Sequence, residues 1–141
     1  MRGVLFLLLI VLALGSAGTA SCAETALTID SVPKMTIDEL KGRLDSPDLV
    51  VIDVRSVNDW EESATKIKGA VREDPRKLAS WLSKYPKSKT IVFYCSCPNE
   101  ETSGSMALQL MAKGYKKAYA LKGGWKPWEA AKYPVDPKGT D

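Results

Sequence analysis

Cys95 and Cys97 stand one residue apart, directly after the apolar run Thr90–Tyr94 and just ahead of Pro98, Asn99, Glu100, Glu101, Thr102 and Ser103. The chain of 141 residues holds one further cysteine, Cys22, and no histidine. Without histidine there can be no Ser-His-Asp or Cys-His nucleophile pair and no zinc site built on imidazole. Any chemistry must come from a residue that needs no imidazole base. Cysteine qualifies when its surroundings stabilise the thiolate. A strand end leading into a helix amino terminus does this, with unpaired backbone N–H groups and the positive end of the helix dipole. The same donors can hold an anionic substrate. Ser96, Asn99, Thr102 and Ser103 add hydroxyl and amide groups that can steady the loop or the anion. Glu100 and Glu101 would repel an anion and raise the thiol pKa if turned inward, so both are expected to face solvent.

A single cysteine in such a place is often just a small core residue. Two thiols in a polar loop fit that reading poorly. Metal binding by an isolated C-x-C would need ligands from a second cluster, and the sequence offers none once Cys22 is set aside. No metal and no cofactor are expected.

The elements around the loop are short. Leu49–Val54 is branched and almost wholly apolar, as in a strand buried on both faces of a parallel sheet, with Asp53 at its carboxyl end. Thr90–Tyr94 is a second such strand, and Lys116–Gly124 supplies a third followed by a Gly-Gly turn. Thr36 and Glu39 form a capping-box pattern ahead of Ile37, Leu40 and Leu44. A helical turn carrying Trp60 is expected from Asn58 or Asp59, and a helix over 74–85 entered through Asp74 and Pro75, with Leu78, Trp81 and Leu82 inward. From Ser103 a helix with Met106 and Leu110 inward runs to a stop at Gly114. Strands and helices alternate, which predicts an α/β domain with a central, mainly parallel sheet flanked by helices in three layers.

With 45% hydrophobic and 26% charged residues the composition is globular. The net charge of +3 is spread without any basic block longer than Lys116–Lys117, so no nucleic-acid partner is expected. Arg2, the eleven apolar residues Val4–Leu14 and the small residues up to Ala23 read as a secretory signal peptide over residues 1–23, too short to span a bilayer as a helix. The chain is then exported, with the bacterial periplasm as its expected location. Thr19-Ala20-Ser21-Cys22 also offers a lipidation pattern, and membrane attachment is expected only if Cys22 carries lipid. The remaining boundaries are an extended lead-in over 24–34, the domain over 35–135 and a tail over 136–141.

Over 35–135 the chain resembles a rhodanese-like sulfurtransferase domain. The resemblance rests on Leu49–Trp60 with its Asp-x-Arg turn, on Ile67–Val71, on Ile91–Cys95 leading into the loop, and on Ser105–Val135 with its Gly-Gly-x-x-x-Trp close. It implies that Asp53 and Arg55 are structural residues near the site, whose plain alternative is a surface ion pair worth little. Gly123, Gly124 and Trp125 become turn and packing residues, and Trp60, Trp81 and Trp128 core. Lys66-Ile67-Lys68 replaces a segment where the family usually has histidine. The position of the sulfur carrier stays open: the Tyr94-Cys95 step at the strand end favours Cys95, whereas counting back six from Ser103 picks Cys97. No arginine lies between Cys95 and Lys113, which argues against a tyrosine phosphatase loop and against efficient use of thiosulfate.

The resemblance implies a sulfurtransferase of the thiosulfate type, moving sulfane sulfur through a cysteine persulfide. The expected donor is a small sulfur-bearing anion or a protein persulfide, and the acceptor a thiol or another nucleophile. Two rivals remain. Cys95 and Cys97 could form a reversible disulfide in a thiol-disulfide redox protein, strained by the one-residue spacing, or the fold could serve as a non-catalytic binding module.

Overall fold

Leu49–Asp53 and Thr90–Tyr94, the two apolar runs, form adjacent central strands of a five-stranded parallel sheet. The computed structural model describes residues 26–139. The signal-peptide segment and Cys22 lie outside the described residues. In chain order the elements are β1 (Lys34–Met35), α1 (Ile37–Lys41), β2 (Leu49–Asp53), α2 (Val57–Glu62), β3 (Thr65–Ile67) and β4 (Val71–Arg72). There follow α3 (Leu78–Trp81), β5 (Thr90–Tyr94), α4 (Glu101–Ala112), β6 (Ala118–Leu121), α5 (Trp125–Ala130) and β7 (Val135–Pro137). The main sheet has the order β1-β6-β5-β2-β4, and β3 pairs antiparallel with β7 beside it.

Every residue of β5 is buried, as a central parallel strand covered on both faces requires. Side chains alternate between the faces. Ile91, Phe93 and then Cys95 join the core shared with Met106, Ala107 and Leu110 of α4 and Trp81 of α3. Val92 and Tyr94 point the other way, into the core formed with Leu40 of α1 and Trp125 and Trp128 of α5. Burying each large apolar side chain contributes roughly 1.5–3 kcal/mol, so these two layers hold the strand ends in place.

Local signals govern the helix ends. Thr36 Oγ1 accepts from Glu39 N at 3.2 Å while Glu39 Oε2 accepts from Thr36 N at 2.8 Å, the reciprocal box read from the sequence. Gly114, at φ 88°, closes α4, with Tyr115 N donating back to Leu110 O at 3.1 Å.

Several expectations are corrected. The lead-in is not extended throughout: Ile29–Ser31 is a 3-10 turn, and Lys34 already belongs to β1. The tail begins inside β7. Ser56 caps α2 by accepting from Asp59 N at 3.1 Å, so the helix starts before Asn58. The segment after Asp74 is not one helix but two 3-10 turns around the four residues of α3, because Trp81 Nε1 reaches back to Asp74 O at 2.9 Å and tightens the entry. Trp81 and Trp128 are core, but Trp60 is half-buried and faces arginines.

Candidate active site

Parallel strands place their carboxyl ends along one edge, where open α/β sheets bind ligands. Here the register sets Arg72 of β4, Asp53 of β2 and Tyr94 of β5 side by side at that edge. Asp53 and Arg55 are both fully buried, so they are not the surface ion pair that was the plain alternative. The Asp53 carboxylate accepts from Arg55 Nη2 at 2.6 Å, from Arg55 Nε at 2.9 Å and from Tyr94 Oη at 2.6 Å, while Arg55 N donates at 3.0 Å. Burial and then the Asp53 charge push the Tyr94 hydroxyl far above its ordinary value, so it stays a proton donor to Asp53. Arg55 Nη1 has no hydrogen-bond partner. Its guanidinium carbon instead lies 4.4 Å from the Trp125 ring centre and 5.3 Å from that of Trp60, so aromatic faces compensate the charge.

On this floor stands the loop of the two thiols. Cys95 carries on the inward alternation of β5 and has no exposed surface. Its carbonyl accepts from Trp125 N at 2.9 Å. Gly124 makes that approach possible: at φ 67°, a Cβ there would lie 2.2 Å from Cys95 O. The Cys95 thiol donates to Ser103 Oγ at 3.6 Å, and Ser103 Oγ donates on to Glu100 O at 3.2 Å, a chain that requires the thiol form. Burial, followed by the neighbouring Cys97 thiol, pushes Cys95 up to about 11 against weaker hydrogen bonds from Ser103 and Cys97.

Cys97 is half-buried and lines a cleft of about 480 Å³ together with Ser96, Pro98 and Thr102. Its thiol lies 3.3 Å from Thr102 Oγ1. Thr102 and Ser103, the residues that the two thiols touch, belong to the first turn of α4. No side chain caps that helix, so its first N–H groups lack an intrahelical partner and present a positive end.

The same cleft is also lined by Arg72, Asp74, Pro75 and Arg76, and by Ser56, Val57 and Asp59. Arg72 and Arg76 were not among the expected site residues. Arg72 Nη1 donates to Asp53 O at 3.2 Å and pairs with Asp53 Oδ1 at 3.8 Å, while its Nε and Nη2 make no bond to the floor. Arg76 pairs with Asp74 through two 3.0 Å bonds and holds that carboxyl down to about 2. These two arginines bring to the cleft the guanidinium charge that the loop itself lacks.

The remaining loop residues divide. Asn99 and Glu101 face solvent, and neither lines the cleft. Glu100 does not face solvent as expected: it is 7% exposed and turns away from the cleft to Lys34 Nζ, 2.6 Å away. Ser103 is buried behind Cys95.

Residues 36–131 match the rhodanese-like domain family. The chain belongs to that family. It is 34% identical over 83 residues to the thiosulfate sulfurtransferase GlpE of Coxiella burnetii, covering 59% of this chain and 74% of that one. With GlpE of Glaesserella parasuis it shares 23% over 107 residues, covering 76% and 95%. Its fold superposes on the solution structure of the rhodanese-like domain of Alr3790 from Anabaena with a TM-score of 0.63 at 26% identity, over 77% of this chain and 87% of that domain. This kinship supports sulfurtransferase-like activity for this rhodanese-like domain in general terms.

Proposed function

We propose that this rhodanese-like domain moves sulfane sulfur through a persulfide on Cys97. One observation carries the reading: Cys97 is the thiol that lines the cleft together with Arg72 and Arg76, whereas Cys95 is sealed in the core. The Cys97 thiolate attacks the outer sulfur of an anionic donor such as thiosulfate. The donor's S–S bond breaks, sulfite leaves with the electron pair, and Cys97 becomes a persulfide. An acceptor thiolate then attacks the outer sulfur, and Cys97 leaves as thiolate. Neither step needs a histidine. Arg72, Arg76 and the open amino end of α4 balance the negative charge of donor and persulfide. Asp53 and Arg55 hold the floor without touching the reacting atoms.

The redox-pair reading has in its favour that Cys97 packs against the core cluster to which Cys95 belongs. Against it, Cys95 would have to act from a site that keeps it protonated. Intact-mass spectrometry of reduced protein with thiosulfate, on wild type, Cys95→Ser and Cys97→Ser, tests the proposal. A gain of one sulfur that survives Cys95→Ser and vanishes in Cys97→Ser is expected. Loss of two hydrogens needing both thiols, with no sulfur gain, would favour the redox pair.

The segment 1–23 is proposed to export the domain to the periplasm, with membrane attachment only through lipid on Cys22. Its support is the charged start and apolar run of the sequence. The mass of the amino-terminal peptide from periplasmic protein would show cleavage near Ala20 or Ala23; an intact Met1 would contradict it.

A further inference from the structure

Glu100 is a buried charge beside the site that the transfer steps leave unused. It enters α4 at φ 51°, ψ 31°, a left-handed conformation that residues other than glycine seldom adopt. Its carboxylate is shared between two distant elements. Oε2 accepts from Lys34 Nζ of β1 at 2.6 Å, and Oε1 accepts from the N–H of Gly123, in the turn between β6 and α5, at 2.6 Å. Its main chain is engaged as well: Glu100 N donates to Cys97 O at 3.4 Å, and Glu100 O accepts from Gly104 N at 2.6 Å. The turn that grips Glu100 through Gly123 also grips the start of the loop, through Trp125 N on Cys95 O. The loop bearing Cys97 is thus fastened on both sides of the thiol.

The charged groups around the carboxylate are Lys34 and Lys122. Burial alone would push it up, but Lys34, the Gly123 N–H and Lys122 outweigh burial and hold it below its ordinary value. It is therefore ionised at neutral pH, with its charge compensated away from the cleft.

We propose that Glu100 is a positioning residue for Cys97: its ionised side chain latches the loop to β1 and to the Gly123 turn and so sets where the thiol stands in the cleft. The inference rests on Cys97 as the sulfur carrier. The rival reading is that position 100 needs only a residue tolerant of the left-handed conformation, which glycine supplies best. The two part company at Glu100→Gly.

The test is the rate of Cys97 alkylation by iodoacetamide at neutral pH, with kcat and KM for thiosulfate and a thermal melt on the same proteins. Glu100→Gly is expected to fold, to alkylate about tenfold more slowly at neutral pH, and to lower kcat for thiosulfate more than it changes KM, since small misplacements of a reacting group are costly. Glu100→Gln, which keeps an acceptor for the Gly123 N–H, recovers part of that rate. Should Glu100→Gly fail to fold, Lys34→Met removes the other half of the ion pair at a side chain 42% exposed, and the same slowing is expected. A wild-type alkylation rate and kcat in Glu100→Gly, or in Lys34→Met where that variant stands in, overturns the latch. Wild-type protein that alkylates at Cys97 but takes no sulfur from any donor would sink the carrier assignment alone, leaving the alkylation rate to judge the latch.

Discussion

The floor of the cleft and its rim use charge in opposite ways. On the floor, Asp53, Arg55 and Tyr94 are buried and almost fully partnered within their own group. On the rim, Cys97 and Arg72 are half-buried and Arg76 is exposed, each retaining surface toward the cleft. Charge sealed in the floor organises the strand ends and spends nothing on ligand. Charge on the rim is less enclosed: Arg72 pairs with Asp53 and Arg76 with Asp74, yet both still line the cleft where a donor would bind. The two cysteines repeat this division within three residues: Cys95 belongs to the floor, Cys97 to the rim.

Breaking the floor should cost most. Asp53→Asn leaves the Arg55 guanidinium buried without its counter-charge, which is expected to cost about 3–5 kcal/mol of stability. Urea denaturation checks this, and a loss near zero would mean that the pair is not a unit. Gly124→Ala strikes where floor and loop meet. Forcing a side chain into a positive-φ position against Cys95 O is expected to cost about 1–3 kcal/mol and to slow sulfur loading as the loop shifts. A thermal melt and a loading rate, taken together, read both effects.

The rim should respond differently, in binding more than in stability. Arg72→Ala is expected to raise KM for thiosulfate about tenfold, the weight of one charge-assisted hydrogen bond, with a smaller rise for the exposed Arg76→Ala. Steady-state kinetics at two salt concentrations checks this; an unchanged KM in both variants would remove the arginines from the donor site.

The smallest effect is a pH dependence that sharpens the contrast between the thiols. Because the folded protein keeps Cys95 protonated up to about 11, the unfolded chain loses that proton first as pH rises past the ordinary thiol value of about 8.5. Stability should therefore fall as pH climbs from there toward 11, and Cys95→Ser should abolish that part of the fall. Denaturation midpoints across this range, compared between the two proteins, measure it.

Much of this was legible in the residues. The branched apolar runs at Leu49 and Thr90, the Thr36–Glu39 box and the stop at Gly114 are local signals, and each led to the element observed. The features that the sequence does not reveal depend on partners far along the chain. Glu100 reads as a solvent-facing acid until Lys34, 66 residues away, is placed against it. Arg72 reads as a solvated charge after a short strand, and only the parallel register beside Asp53 brings it to the cleft. The burial of Cys95 does have a local signal: Ile91, Phe93 and Cys95 share one face of a strand with period two.

The central claim, that Cys97 and not Cys95 bears the transferred sulfur, is tested most directly by locating that sulfur in the wild-type protein. After incubation with thiosulfate and capping with iodoacetamide, fragmentation of the peptide containing both cysteines shows which residue has gained mass. The account predicts the additional sulfur on Cys97, with Cys95 unmodified. Additional sulfur on Cys95 would contradict it.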